Sequence, residues 1–84
     1  MNKQEIKERV LNLLGNGEGQ LVLETDEYYQ YTDKNLFVGF TDEGVETMAR
    51  VHGALKKETD VIPFDEIIGI LNMEQYYDSA LGIV

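Results

Sequence analysis

Apolar and polar residues alternate with two different periods along this chain, and each change of period marks an element. Between Asn2 and Leu14, Ile6, Val10, Leu13 and Leu14 recur at i, i+4, i+7 and i+8. That spacing is one face of a 3.6-residue repeat and predicts an amphipathic helix. Lys3, Glu5, Lys7, Glu8 and Arg9 occupy its other faces. Gly15, Gly17 and Gly19 follow within five residues, too much backbone freedom for a helix interior, so the helix ends there. The glycine loop follows a helix, contains Glu18 and has no Lys-Ser/Thr pair after it. It therefore reads as a helix end and linker, not as a phosphate cradle.

The period then shortens to two. Gln20 to Thr25 places Leu21 and Leu23 on one face and Val22 on the other; Tyr28 to Thr32 places Tyr29 and Tyr31 together; Leu36 to Phe40 sets Leu36, Val38 and Phe40 against Phe37. These are three strands. The connections at Thr25 to Glu27 and at Asp33 to Asn35 are too short for anything but antiparallel neighbours, which predicts a meander.

Beyond Phe40 the spacing again suggests helices. Thr41 is expected to cap a helix over 41–56, with Asp42, Glu43 and Glu46 in its first turns and Val45, Met48, His52 and Leu55 as its apolar stripe. Pro63 is expected to open another, with Phe64, Ile67, Ile68 and Leu71 at i, i+3, i+4 and i+7. Residues Glu74 to Leu81 suit a short helix or a folded-back tail. The predicted fold is α+β, in the order α-β-β-β-α-α, with the helices covering one face of the sheet.

At 84 residues, 43% of them apolar, the chain is expected to form a single domain over 1–84. It has no cysteine, which removes disulfides and thiolate chemistry and fits a reducing cytoplasm. No apolar run approaches the ~20 residues of a membrane span, and the charged N-terminus is not a signal peptide. His52, the only histidine, is expected to be a packing residue, since no second one exists to share a metal. No nucleophile–base constellation is present and the Asp60 to Glu66 stretch lacks the alternating oxygen ligands of a calcium loop. Neither an enzyme, a metal nor a cofactor is expected.

Charge changes the picture. The net charge is −9, and it is unevenly placed. Between Leu21 and Ala49 seven carboxylates accompany one base, Lys34, and after Glu58 five carboxylates accompany none. Such a surface repels nucleic acid and anionic membrane and attracts a basic partner. In the predicted topology Glu24, Asp26 and Glu27 share one edge with Asp42, Glu43 and Glu46, with no base nearby. Glu58, Asp60, Asp65 and Glu66 fall at the opposite end, near Asp33. Tyr28, beside the acidic edge with Tyr29 and Tyr31, adds flat amphipathic area of the kind enriched at interfaces. A second surface, Tyr76, Tyr77, Leu81 and Ile83, with Val84, is apolar enough to seat a second copy as a homodimer.

With this element order, size and acidity, the chain resembles the small phage-encoded inhibitors that mimic DNA. In outline it is similar to an anti-CRISPR inhibitor of the type II CRISPR nuclease. In size and charge it is similar to phage inhibitors of uracil-DNA glycosylase and of the histone-like nucleoid protein. The resemblance implies that carboxylates stand in for phosphates and block a basic DNA-binding site of a bacterial host protein: a CRISPR nuclease, a nucleoid protein or a DNA-repair enzyme. It implies no direct binding of nucleic acid and action in the host cytoplasm. The alternative is a small acidic interaction module, or a regulatory dimer, without mimicry.

Overall fold

A computed structural model describes residues 1–51 and 54–82, and within them all side chains but those of 49–51 and 54–58. His52, Ile83 and Val84, named above, lie outside the described residues. The order is helix α1 (Lys3–Gly15), strands β1 (Gln20–Glu24), β2 (Tyr29–Asp33), β3 (Phe37–Phe40), β4 (Gly44–Val51) and β5 (Ala54–Pro63), a single 3-10 turn (Phe64–Glu66), strand β6 (Gly69–Leu71) and helix α2 (Met73–Ala80). The strands form two three-stranded antiparallel sheets, β2-β1-β6 and β3-β4-β5. The α+β class is as expected, but the α-β-β-β-α-α order is not: the segment read as a helix over 41–56 carries β4 and the start of β5, which pair antiparallel, and no single meander holds β1 to β3.

Helix α1 forms where its stripe demands. Ile6, Val10, Leu13 and Leu14 are its buried residues. Asn2 starts it with a capping box: its side chain accepts from the Glu5 backbone N–H at 2.8 Å while the Glu5 carboxylate accepts from the Asn2 N–H at 3.4 Å. The stripe joins Leu21, Leu23 and Ile70 of the first sheet and Val45 and Ile62 of the second, with Phe64 and Ile67, in one core. Phe37 and Phe40 pack at its margin.

The failed helix over 41–56 has a specific cause. Val45 and Thr47 are fully buried while Glu46 and Met48 between and beyond them are partly exposed, the period of a strand. A buried threonine hides that period from a reading that marks the core by apolar residues alone. The Thr47 hydroxyl donates to the Leu36 carbonyl at 3.1 Å and lies 2.6 Å from the Thr32 hydroxyl. Since Thr47 has one proton to give, Thr32 supplies the proton between them. This hydrogen bond joins strands from the two sheets, and it removes the cost of burying both hydroxyls.

The supposed cap at Thr41 is a related error. Thr41 Oγ1 does accept backbone N–H groups, from Glu43 and from Gly44, each at 3.1 Å. The Thr41 N–H, however, donates to the Gly44 carbonyl at 2.9 Å, which closes a hairpin turn from β3 into β4 rather than a helix. Gly44 is obligatory there, because a Cβ would collide with the Ile62 carbonyl oxygen of β5. The stripe from Phe64 to Leu71 likewise yields one 3-10 turn and a three-residue strand, with Ile70 paired to Leu23 and Ile68 left exposed.

Candidate acidic ridge

Two copies of the same tripeptide build the acidic surface. Thr25-Asp26-Glu27 joins β1 to β2 and Thr41-Asp42-Glu43 joins β3 to β4. In the first, Thr25 Oγ1 accepts from the N–H groups of Glu27 at 3.3 Å and Tyr28 at 3.1 Å, and the Thr25 N–H donates to the Tyr28 carbonyl at 3.0 Å. The second repeats this pattern with Gly44 in the place of Tyr28. In each turn the threonine holds the backbone, so the side chains of the Asp and Glu that follow make no hydrogen bond among the described residues and are exposed.

The 3-10 turn lies between the two tips. The Phe64 N–H donates to the Glu43 carbonyl at 2.9 Å, and the Ile68 N–H donates to the Glu24 carbonyl at 2.8 Å. Asp65 and Glu66 consequently line two adjoining clefts. One, of about 150 Å³, is bounded by Thr25, Asp26, Glu27 and Tyr28; the other, an open cleft of about 620 Å³, by Lys3, Asp42, Glu43, Pro63 and Phe64. Six carboxylates thus form one ridge: Asp26 and Glu27, then Asp65 and Glu66, then Asp42 and Glu43. Among the described residues, none of these six side chains is hydrogen-bonded or paired with a Lys or Arg.

Tyr28 stands at one end of the ridge, and burial raises its phenol above the ordinary value, with the nearby Glu66, Glu27 and Asp60 carboxylates adding to the rise. At the other end Lys3 Nζ donates to the Asp42 carbonyl at 3.4 Å and sits 5.4 Å from the centre of the Phe64 ring. Lys7 lies 5.7 Å from the centre of the Phe40 ring.

The sequence expectations divide here. Asp26, Glu27, Tyr28, Asp42 and Glu43 do gather on one surface. Glu24 and Glu46 do not join it. Glu24 shares the outer face of β1 with Val22 and accepts the Tyr29 hydroxyl at 3.4 Å; Glu46, out of step with buried Val45 and Thr47, accepts the Thr59 hydroxyl at 2.7 Å. Asp65 and Glu66, expected at the far end near Asp33, belong to the ridge instead, and Asp60 lies close enough to Tyr28 to act on its phenol. The edge also has a base after all, Lys3, brought from 39 residues away. Asp65 and Glu66 were hidden because their place depends on the 3-10 turn. The repeated Thr-Asp-Glu was the signal in the sequence that pointed to two equivalent acidic tips.

Among the described residues no group of three or more His, Cys, Asp or Glu is placed to hold a metal ion, and no helix is long and apolar enough to cross a membrane. On α2, Tyr76 is half-buried and Tyr77 exposed, and Leu81, just after the helix, is exposed.

Comparison with family models, with curated proteins and with solved structures finds no match for this chain. The element order that contributed to the resemblance drawn above is not the observed one, so any functional reading rests on the ridge itself.

Proposed function

We propose that the protein is an acidic inhibitor that binds a basic, nucleic-acid-binding protein of a bacterial host and occupies the site where phosphates would lie. The observation that carries this reading is the ridge of six exposed carboxylates with no internal partner among the described residues. Phosphate-binding grooves hold arrays of Lys and Arg, and a rigid row of carboxylates is complementary to them. Both tips are fixed by threonine hydrogen bonds, so little order remains to be gained on binding. The chain is a binder in this reading, not a catalyst.

The test is capture from a bacterial lysate with and without competing duplex DNA. The expected set is nucleic-acid-binding proteins, released by duplex DNA and by raising salt from about 0.1 to about 0.5 M, as exposed charges are screened. The double variant Asp26→Lys/Glu43→Lys, one reversal in each tip, should lose that set. Capture that ignores DNA, salt and both reversals would overturn the reading. An interaction module or dimer without mimicry is the second reading, favoured by the exposure of Tyr77 on α2 and of Leu81 just after it. It is supported instead if a dimer is seen in sedimentation and removal of residues 81–84 abolishes it.

A further inference from the structure

The opposite side of the first sheet carries a feature the ridge does not use. Helix α2 packs on β1 and β6, with Tyr76 reaching Tyr29 of β2, but buries none of its side chains fully. Its N-terminus is fixed by a capping box between Asn72 and Gln75, and Arg9 of α1 donates to the Gln75 side chain at 3.3 Å. Between helix and sheet lies a pocket of about 90 Å³, lined by Val22, Tyr29, Tyr31, Met73 and Tyr76. Val22 is buried and forms the floor. Tyr29 and Tyr76 stand edge to face, ring centres 5.3 Å apart at 77°.

None of the five lining side chains is charged, but carboxylates flank them. The Tyr29 hydroxyl donates to Glu24 at 3.4 Å, and the Tyr31 hydroxyl is 3.1 Å from Asp33 and 3.0 Å from Gln20. Partial burial and then Glu24 raise the Tyr29 phenol above its ordinary value. A phenol that donates to a carboxylate has a more electron-rich ring face, which strengthens its attraction for a cation. The volume accepts one side-chain head and is far below the about 300–1,000 Å³ of small-molecule and cofactor sites.

We propose that this pocket seats one arginine side chain of the basic partner, outside the acidic ridge, with the guanidinium against Tyr29 and Tyr76 and within reach of Glu24. The inference rests on the proposed reading that the partner is basic. Arginine fits better than lysine because guanidinium is planar, weakly hydrated and stacks on aromatic faces, whereas an ammonium gives up its water at greater cost over an apolar floor. A second contact on a different face from the ridge would explain why sheet and helix together leave three tyrosines and a methionine around a gap that larger apolar side chains would fill.

The test is an NMR titration of the full chain with blocked Gly-Arg-Gly, Gly-Lys-Gly and Gly-citrulline-Gly peptides. The expected result is saturable shifts of the Val22 and Met73 methyls and of the Tyr29 and Tyr76 rings with the arginine peptide. Lysine should act more weakly, and citrulline, equal in shape but uncharged, not at all. Tyr76→Leu and, independently, Tyr29→Leu keep apolar bulk and should each weaken the arginine response about two- to fivefold. The ridge variant Asp26→Lys/Glu43→Lys should retain it. Equal shifts with citrulline, or arginine shifts confined to residues 26–27, 42–43 and 65–66, would overturn the pocket while leaving the ridge reading standing. Concentration-dependent pocket shifts without peptide would assign it to a second copy of this chain and also overturn the proposal. Loss of DNA-competed capture alongside an intact pocket response would remove the inhibitor reading alone.

Discussion

The two Thr-Asp-Glu turns are the same local structure in two different settings. Both use a threonine hydroxyl to hold two N–H groups and both leave the next two carboxylates exposed. The first ends in Tyr28, whose phenol feels the Glu66, Glu27 and Asp60 carboxylates, and among the described residues no base lines that cleft. The second ends in Gly44, pressed against the β5 backbone, and has Lys3 beside it. Local sequence therefore makes an acidic tip, while the surroundings decide what the tip tolerates and how strongly its charge is felt.

The largest difference should come from the fourth residue of each turn. Gly44→Ala forces a Cβ into the Ile62 carbonyl and should destabilise the fold by about 3 kcal/mol, at the upper end of ordinary overpacking. Tyr28→Ala, at an exposed position, should change stability by no more than about 1 kcal/mol. Urea unfolding of the two variants compares them directly. Equal losses would show that the second turn yields where the structure places backbone contact.

Thr47→Val comes next, although it acts between the sheets rather than within a turn. It removes a buried hydroxyl and strands that of Thr32, an expected loss of about 1–3 kcal/mol. The double variant Thr32→Val/Thr47→Val should recover part of that loss, because no buried hydroxyl is then left unpaired. A double variant as unstable as the sum of the singles would refute the pairing.

Thr25→Ala and Thr41→Ala each remove an acceptor for two N–H groups, and a loss of about 1 kcal/mol is expected, as for a helix cap. Thr25 is buried and Thr41 only half-buried. Water replaces the lost acceptor more readily at Thr41, so Thr25→Ala should be the more damaging of the two. The reverse order in thermal unfolding would count against burial as the deciding factor.

The smallest effect is electrostatic. The Tyr28 phenol is raised in the folded chain, so folding favours its neutral form. The resulting stabilisation is complete below the ordinary tyrosine value and is lost as pH climbs through the raised one. Glu66→Gln should bring the Tyr28 titration, followed by NMR, part of the way back toward the ordinary value, leaving the contributions of burial, Glu27 and Asp60. An unchanged titration would mean that Glu66 has no part in the shift.

Much of this molecule follows from local sequence. Ile6, Val10, Leu13 and Leu14 specify α1 because a 3.6-residue stripe has one way to be buried. The alternation in Gln20 to Thr25 and in Tyr28 to Thr32 specifies β1 and β2 for the same reason at period two. The excess of carboxylates, and their exposure in Asp26, Glu27, Asp42 and Glu43, also belongs to the sequence, since a Thr-Asp-Glu turn leaves its acids outward whatever surrounds it. Tertiary structure decided the rest. Val45 and Met48 suit a helix as well as a strand until Thr47 finds the Leu36 carbonyl and the Thr32 hydroxyl, 11 and 15 residues away. Without those partners a buried threonine would cost too much, and with them it belongs to the core. The company of the acidic tips was settled in the same way: Asp65 and Glu66 reach them because the 3-10 turn bonds to Glu43, and Lys3 reaches Asp42 across 39 residues. Short polar and apolar runs state which side of an element faces water. Which element they become depends on distant groups that supply the missing hydrogen bonds, and these meet only once the chain has folded.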